Sequence, residues 1–339
     1  MVDRRRLLAM LALAAAAHST ANGAEDAKSF YSGKTLKIIV GLPAGGGADA
    51  YARLVQRHLS RHLPGAPAIV VQNMPGAGSL RSVTFTETGA PEDGTVLATF
   101  SAGLITEAVT APERVRVDFR NFAFIGTVSE DIRVCYVRRE TGVRNWRDLL
   151  ARDQVIFGAS APGAAGTADV AMLRNLFGVK IKQVQGYAGS AAKRLAVEKG
   201  EIDGECGGWT SVPADWLRER KINVLVRLSS TLVDGLDATV PFAGDLLNDA
   251  RDRKVYDFLL APAKLGRLFL VSSRVPAERV GVLRAAFDAM VADRAFLDEA
   301  ARFRLLVTPL AGSQIAREVS DLYAMPADLV TRARLIAGE

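Results

Sequence analysis

The apolar positions of this chain alternate between short unbroken runs and longer stripes spaced for a helix. Residues 36–42 (LKIIVGL) are almost wholly apolar, the pattern of a strand covered on both faces. Tyr51, Leu54, Val55, His58, Leu59 and Leu63 then fall on one helical face, and Pro64 and Gly65 end that helix. Runs at 68–73 and 95–101 predict a second and third strand. Between them lies a glycine turn, MPGAGS (74–79), with Ser79 placed to cap the next segment. Strand, helix and strand with glycine-rich connections is the grammar of a doubly wound α/β sheet.

The pattern then starts again. Strands are predicted at 133–139, 154–160, 202–206 and 222–229, and helices at 145–152, at 167–178 with Thr167 as N-cap, and after Ser190. Beyond residue 235 helices dominate, at 244–260, at 276–303 and in two C-terminal segments, around one strand at 266–273. One strand with a set of helices does not make an independent core, so this tail is expected to return to the first unit. The reading is a hinged clamshell: residues 25–130 with 236–339 form lobe 1 and 131–235 form lobe 2. The chain would cross near 129–133 and again near 228–235.

Composition agrees with a globular chain of that size, 339 residues of which 49% are hydrophobic and 24% charged. Residues 1–24 change the picture. Arg4, Arg5 and Arg6 precede an apolar run, Leu7–Ala17, too short to span a bilayer, and Ala21-Asn22-Gly23 fits a cleavage site. This is the anatomy of an export signal, which places the protein in the periplasm, soluble once the signal is removed. Removal takes three Arg and one Asp and lowers the net charge from +6 to +4. No basic block interleaved with aromatics appears, which argues against nucleic acid. Cys135 and Cys206 sit in apolar, strand-like runs that favour buried free thiols, although an oxidising compartment permits a bridge.

Four loops come just after strands, at 43–49, 76–79, 160–167 and 187–190. Ligands of open parallel sheets bind outside the strand carboxyl ends, where helix N-termini offer unpaired N–H groups and partial positive charge. Glycines let an anion approach such groups closely. PAGGGAD (43–49) therefore reads either as a cradle for a carboxylate or as a plain turn with Asp49 as N-cap. A carboxylate at Asp49 is also suited to receive a ligand amine. Trp209 is placed either to stack on a flat ligand or to pack in the core. Asp203 and Glu205 alternate on one strand, so that one of them faces the cleft or hinge.

Enzyme signatures are weak. Gly45-x-Gly47-x-x-Ala50 lacks the acidic residue a dinucleotide site needs, since Gln72 and Asn73 stand there. Ser190-Ala-Ala-Lys193 matches S-x-x-K without its companion motifs, and a helix cap explains it. His58 and His62 suggest no third metal ligand. No cofactor or metal is expected.

The blocks Pro43–Leu54, Val70–Ser79 (VVQNMPGAGS) and Ala90–Leu97 (APEDGTVL) resemble those of the Bug (TctC-like) extracytoplasmic solute receptors of tripartite tricarboxylate transport systems. Looser similarity runs through Asp118-Phe119, Phe157–Ser160, Gly186–Ser190 and Gly200–Asp203. The resemblance implies a type II periplasmic-binding-protein fold and a small carboxylate held by loop backbone groups, often through water. It further implies no catalysis, a monomer, and delivery to membrane subunits. Carried over by position, lobe 1 contacts come from Pro43, Ala44, Gly45, Gly46, Gly47 and Asp49, with Ser101 nearby. Lobe 2 contacts come from Ser160, Gly163, Thr167, Tyr187 and Gly189. The chain departs from the family pattern at Leu42, in APGAAGTADVA (161–171) and at Tyr187-Ala188-Gly189. An exported hydrolase or lyase acting on an anion in the same cleft, and a ligand-presenting sensory protein, stand as alternatives.

Overall fold

The computed structural model describes residues 30–160 and 164–338. The export signal expected at 1–24 lies outside them, and so does Gly163. The first sheet begins with β1 (Thr35–Val40), β2 (Ala68–Asn73), β3 (Val96–Thr99) and β4 (Phe122–Thr127), connected through α1 (Gly47–Leu59), α2 (Leu80–Thr84) and α3 (Gly103–Thr110). The second sheet comprises β5 (Arg133–Arg138), β6 (Val155–Gly158), β7 (Ile181–Val184), β8 (Gly204–Gly208) and β9 (Ile222–Arg227). Its helices are α4 (Trp146–Ala151), α5 (Ala165–Asn175), α6 (Ser190–Glu198) and α7 (Ala214–Arg218). The rest of the chain supplies α8 (Ala250–Leu265), β10 (Leu268–Ser272), α9 (Ala277–Val291), α10 (Arg294–Arg302), β11 (Leu310–Ala311), α11 (Gly312–Tyr323) and α12 (Ala327–Ala337).

The strand orders are β11-β4-β10-β3-β1-β2 and β7-β6-β8-β5-β9. β1 is parallel to β2 and β3, and β6 to β7 and β8. In the second sheet β5 runs against β8 and β9, and in the first β10 runs against β3 and β4 and the short β11 against β4. This is the two-sheet, doubly wound α/β architecture expected. Strand β4, FAFIGT, was not among the predicted strands, and the segment 276–303 is two helices. Asp293 breaks it by accepting the Ala295 N–H as N-cap of α10.

Burial explains the apolar runs. Leu36, Ile38 and Val40 of β1 pack with Tyr51, Leu54 and Val55 of α1 and with Phe287 of α9, while Ile39 faces the opposite core. That second core is continuous with the second sheet through α8 and α12, where Val255, Phe258, Ala333 and Ile336 join Phe157, Val170 and Leu173. Residues past the expected crossing at 228–235 still lie on the second sheet: Leu236 and Val240 pack with Trp216 and Tyr136, and Phe242 bridges to Arg227. The chain returns through α8. Helix α12 touches both units, and Asn175 at the end of α5 donates to the Ile336 carbonyl at 2.8 Å.

Cys135 and Cys206 are joined by a disulfide, which corrects the expectation of free thiols. The reason is register. Antiparallel β5 and β8 place the two residues directly opposite each other, with Cα atoms 4.1 Å apart. Their apolar surroundings, read as a sign of inert thiols, are simply the interior of the sheet.

Candidate functional site

A cavity of about 1170 Å³ lies where the strand ends and helix starts of both sheets meet. The lobe 1 side is built first. The chain leaves β1 through Gly41, where an added Cβ would sit 2.4 Å from Ser82 Oγ, so only glycine fits. The Ser79 hydroxyl donates to the Gly41 carbonyl (3.0 Å) and accepts from the Ser101 N–H (3.1 Å), tying three loops together. Asp49 braces the triglycine loop from beneath. Its carboxylate accepts from the Gly45 N–H (3.0 Å), from Asn73 Nδ2 (3.0 Å) and from Arg53 Nε (2.9 Å). Burial pushes this carboxyl up, but Arg53, the Gly45 N–H and Asn73 outweigh burial and hold it below the usual range.

Above that brace, the start of α1 has no side-chain cap. The same holds for α3, α5 and α6, and residues of the first turn of all four helices line the cavity. Helices α4, α8 and α10, whose starts lie elsewhere, are capped by Asn145, Asp249 and Asp293. Of the other helices without a side-chain cap, α7, α9 and α12 each begin after a proline, and α2 and α11 begin after Ser79 and Ala311. Helix starts without side-chain caps, and the positive ends of four helix dipoles, thus converge on one space, a ready receiver for an anion, although at α3 the Leu104 and Ile105 N–H groups already bond the Ser101 and Ala102 carbonyls.

Beneath this space runs a chain of ion pairs joining the lobes. Arg267, just before β10, donates to Asp131 Oδ1 at 2.7 Å, and Asp131 Oδ2 accepts from Arg133 Nη1 at 3.1 Å. Arg133 Nε donates to Asp169 of α5 at 2.7 Å. Beside it, Lys193 of α6 pairs with Glu205 at 2.6 Å and donates to the Cys206 carbonyl at 3.2 Å, while the Tyr136 hydroxyl donates to Glu205. Burial pushes the Asp169 carboxyl up in spite of Arg133. Burial also opposes ionisation of Asp131, but its two guanidinium neighbours outweigh that and hold it low. Glycine makes these contacts possible. A Cβ at Gly208 would lie 2.7 Å from Asp131 Oδ1, and one at Gly166 would lie 2.8 Å from the Cys206 carbonyl oxygen.

Of the residues singled out from sequence, Pro43, Ala44, Gly46, Gly47, Ser101, Ser160, Thr167, Tyr187 and Gly189 line the cavity. Thr167 stands within the first turn of α5, whose N-cap is Ala164. Gly45 and Asp49 form the brace behind the lining, and the carboxylate of Asp49 is taken up by Gly45, Arg53 and Asn73 rather than held out for an amine. Trp209, half-buried, packs against the core that holds Tyr136 and Trp216 and does not line this cavity. Glu205 is buried behind Lys193, and Asp203 accepts the Ile156 N–H at 2.8 Å. His58 and His62 pair with Glu299 and Asp293 of the neighbouring helices. Sequence reasoning missed Asp131, Arg133, Asp169 and Arg267. The available signal was an arginine heading an otherwise apolar buried strand, RVCYV, with an aspartate two residues before it.

Solved structures share this fold. The periplasmic binding protein BugD superposes with a TM-score of 0.72 at 19% identity, covering 89% of this chain and 98% of that one. The fold is that of the TctC and Bug solute-binding proteins. A TctC solute-binding protein from Polaromonas matches with a TM-score of 0.63 at 20% identity over 89% of this chain and 99% of its own. MatC from Rhodopseudomonas palustris, solved with bound malate, matches with 0.69 at 19% identity over 88% and 99%. No protein-family model matches the chain. Two curated relatives are UPF0065 proteins. One, from the ttuE-ttuC' intergenic region of Agrobacterium vitis, is 28% identical over 55% of this chain and 54% of its own length. The other, from the tcbD-tcbE intergenic region of Pseudomonas sp. strain P51, is 27% identical over 60% of each. The chain therefore spans a little over half the length of the curated relatives it matches. The resemblance to the Bug and TctC receptors expected from the glycine blocks is borne out.

Proposed function

We propose that this protein is an exported, non-enzymatic receptor that captures a small carboxylate between its two lobes and presents it, as a monomer, to the membrane subunits of a tripartite transporter. The observation that carries the reading is the convergence of four uncapped helix starts, α1 and α3 from one lobe and α5 and α6 from the other, on a single cavity. Main-chain amides from both sides would grip the carboxylate, and closure about the hinge would bury it. The malate held by MatC and the adipate held by another R. palustris protein of this fold support a carboxylate ligand. The lining contributed by Pro43, Ala44, Gly46, Gly47 and Ser101 would face that of Ser160, Thr167, Tyr187 and Gly189, with Gly163 expected beside them.

The test is thermal unfolding with a panel of mono-, di- and tricarboxylates. A ligand at about 100 times its Kd would stabilise the protein by about 2.7 kcal/mol. Gly46→Phe should abolish that shift while leaving the unliganded melting temperature in place, because a Cβ there meets only the Pro43 carbonyl at 3.6 Å. No shift with any carboxylate, or an undiminished shift in Gly46→Phe, would remove the loop from the site.

A further inference from the structure

Resting on the carboxylate reading above, the charges and hydrogen bonds of the cavity say more about its guest. Five cationic side chains line it, Arg114, Arg133, Arg174, Lys193 and Arg267, against three acidic ones. Each of the three acids is already matched: Glu107 by Arg114, Asp131 by Arg133 and Arg267, and Asp169 by Arg133. Among the described residues, then, every carboxylate lining the cavity holds an arginine. Asp49, at the glycine loop, is occupied by Arg53, Asn73 and the Gly45 amide.

The donors are in the opposite state. Arg267 Nε and Gln183 Nε2 are buried and make no hydrogen bond, although both residues line the cavity. Arg267 stands between the lobes, its Nη2 3.3 Å from the Cβ position of Gly47 and 3.5 Å from that of Gly208. Gln183 lies on β7, the edge strand of the second sheet. Buried donors without partners are costly; Tyr31 Oη, Arg138 Nε and Arg194 Nη1 share that state elsewhere, but Arg267 and Gln183 are the two that line the cavity, where a guest can complete them. These two, with the helix starts, require acceptors from it.

We infer that the cleft selects carboxylates that present acceptor oxygens to Arg267 on one side and to Gln183 on the other, and that it rejects amino acids. An α-ammonium group would lose its water, meet only matched carboxylates, and lie among the positive ends of four helices. The side-chain carboxylates it would meet already share their charge with arginines, so none is left to neutralise it fully.

Isothermal titration at pH 7 with matched pairs tests this: succinate and aspartate, glutarate and glutamate, adipate and 2-aminoadipate. The members of each pair differ by one ammonium group. We expect the preferred unsubstituted acid to bind about 100-fold more tightly than its amino counterpart. Gln183→Leu is expected to weaken the preferred acid about 10-fold without lowering the denaturation midpoint of the unliganded protein. An amino acid that binds as tightly as its partner, or alone, overturns the inference and leaves the carboxylate reading standing. Silence from every member of the panel overturns both. Unchanged affinity in Gln183→Leu overturns the role given to that donor.

Discussion

Replacing Arg133 by Met probes the ion-pair chain that joins the lobes. Arg133 is 7% exposed and pairs with Asp169, itself 6% exposed. Among the described residues no other arginine pairs with Asp169. Methionine keeps most of the side-chain volume, so the change is chiefly electrostatic. Asp131 retains Arg267 at 2.7 Å, but Asp169 becomes a buried carboxylate without an arginine. Breaking a buried pair from one side costs about 3–5 kcal/mol. The pH dependence comes from the direction of the shift. In the parent protein the Asp169 carboxyl already titrates above its ordinary value of 3.8, so its burial lowers stability once pH exceeds that value. Losing Arg133 raises that folded pKa further. The deficit of Arg133→Met is therefore full at neutral pH and shrinks as pH falls through the folded pKa toward 3.8, because protonation removes the unpaired charge. Urea unfolding of both proteins between pH 7 and pH 4.5 measures this, and Arg133→Met/Asp169→Asn supplies the control. The double variant should regain about 1–3 kcal/mol at pH 7. A deficit below about 1 kcal/mol at pH 7, or one that does not change with pH, would refute the assignment of this network as a buried, mutually dependent charge chain.

The same geometry sets three other outcomes. Cys135→Ala/Cys206→Ala removes a cross-link closing 71 residues of sequence, and chain entropy puts the loss at about 4 kcal/mol, visible as a lower melting temperature by calorimetry; an unchanged melting temperature would contradict it. Gly208→Ala drives a methyl group onto Asp131 at 2.7 Å and should cost about 2 kcal/mol or more, whereas Gly45→Ala, with nothing within 4 Å, meets only the strain of φ +79 and should cost about 1 kcal/mol, as read from denaturation midpoints. Asp49→Asn should flatten the acid limb of the stability curve: the depressed carboxyl stabilises the loop above pH 3.8, and that contribution disappears as pH falls through its folded pKa.

Much of the frame was legible in the sequence because it is locally encoded. The run at 36–42 announced a strand buried on both faces, and the stripe from Tyr51 to Leu63 announced α1, since strand and helix periods are properties of neighbouring residues. The glycines at 45, 46 and 47 marked a close approach of backbone to something else, which at Gly47 turns out to be Arg267 and at Gly46 and Gly47 the open cavity, while Gly41, read only as part of a strand, is the one held tightly by Ser79 and Ser82. Tertiary structure alone decided the rest. The partners of the ion-pair chain are 36 and 136 residues apart in sequence, and the two cysteines 71 apart, so no local pattern pairs them. Trp209 could have faced a cleft or a core until the second sheet fixed where its side chain packs. Asp49 was a cap by spacing, yet it became a brace because β2 brings Asn73 alongside it. Sequence carries periodicity and turn chemistry over a few residues. Which charges meet, and which donors are left for a guest, is set by register and crossover, and these exist only once the sheets have formed.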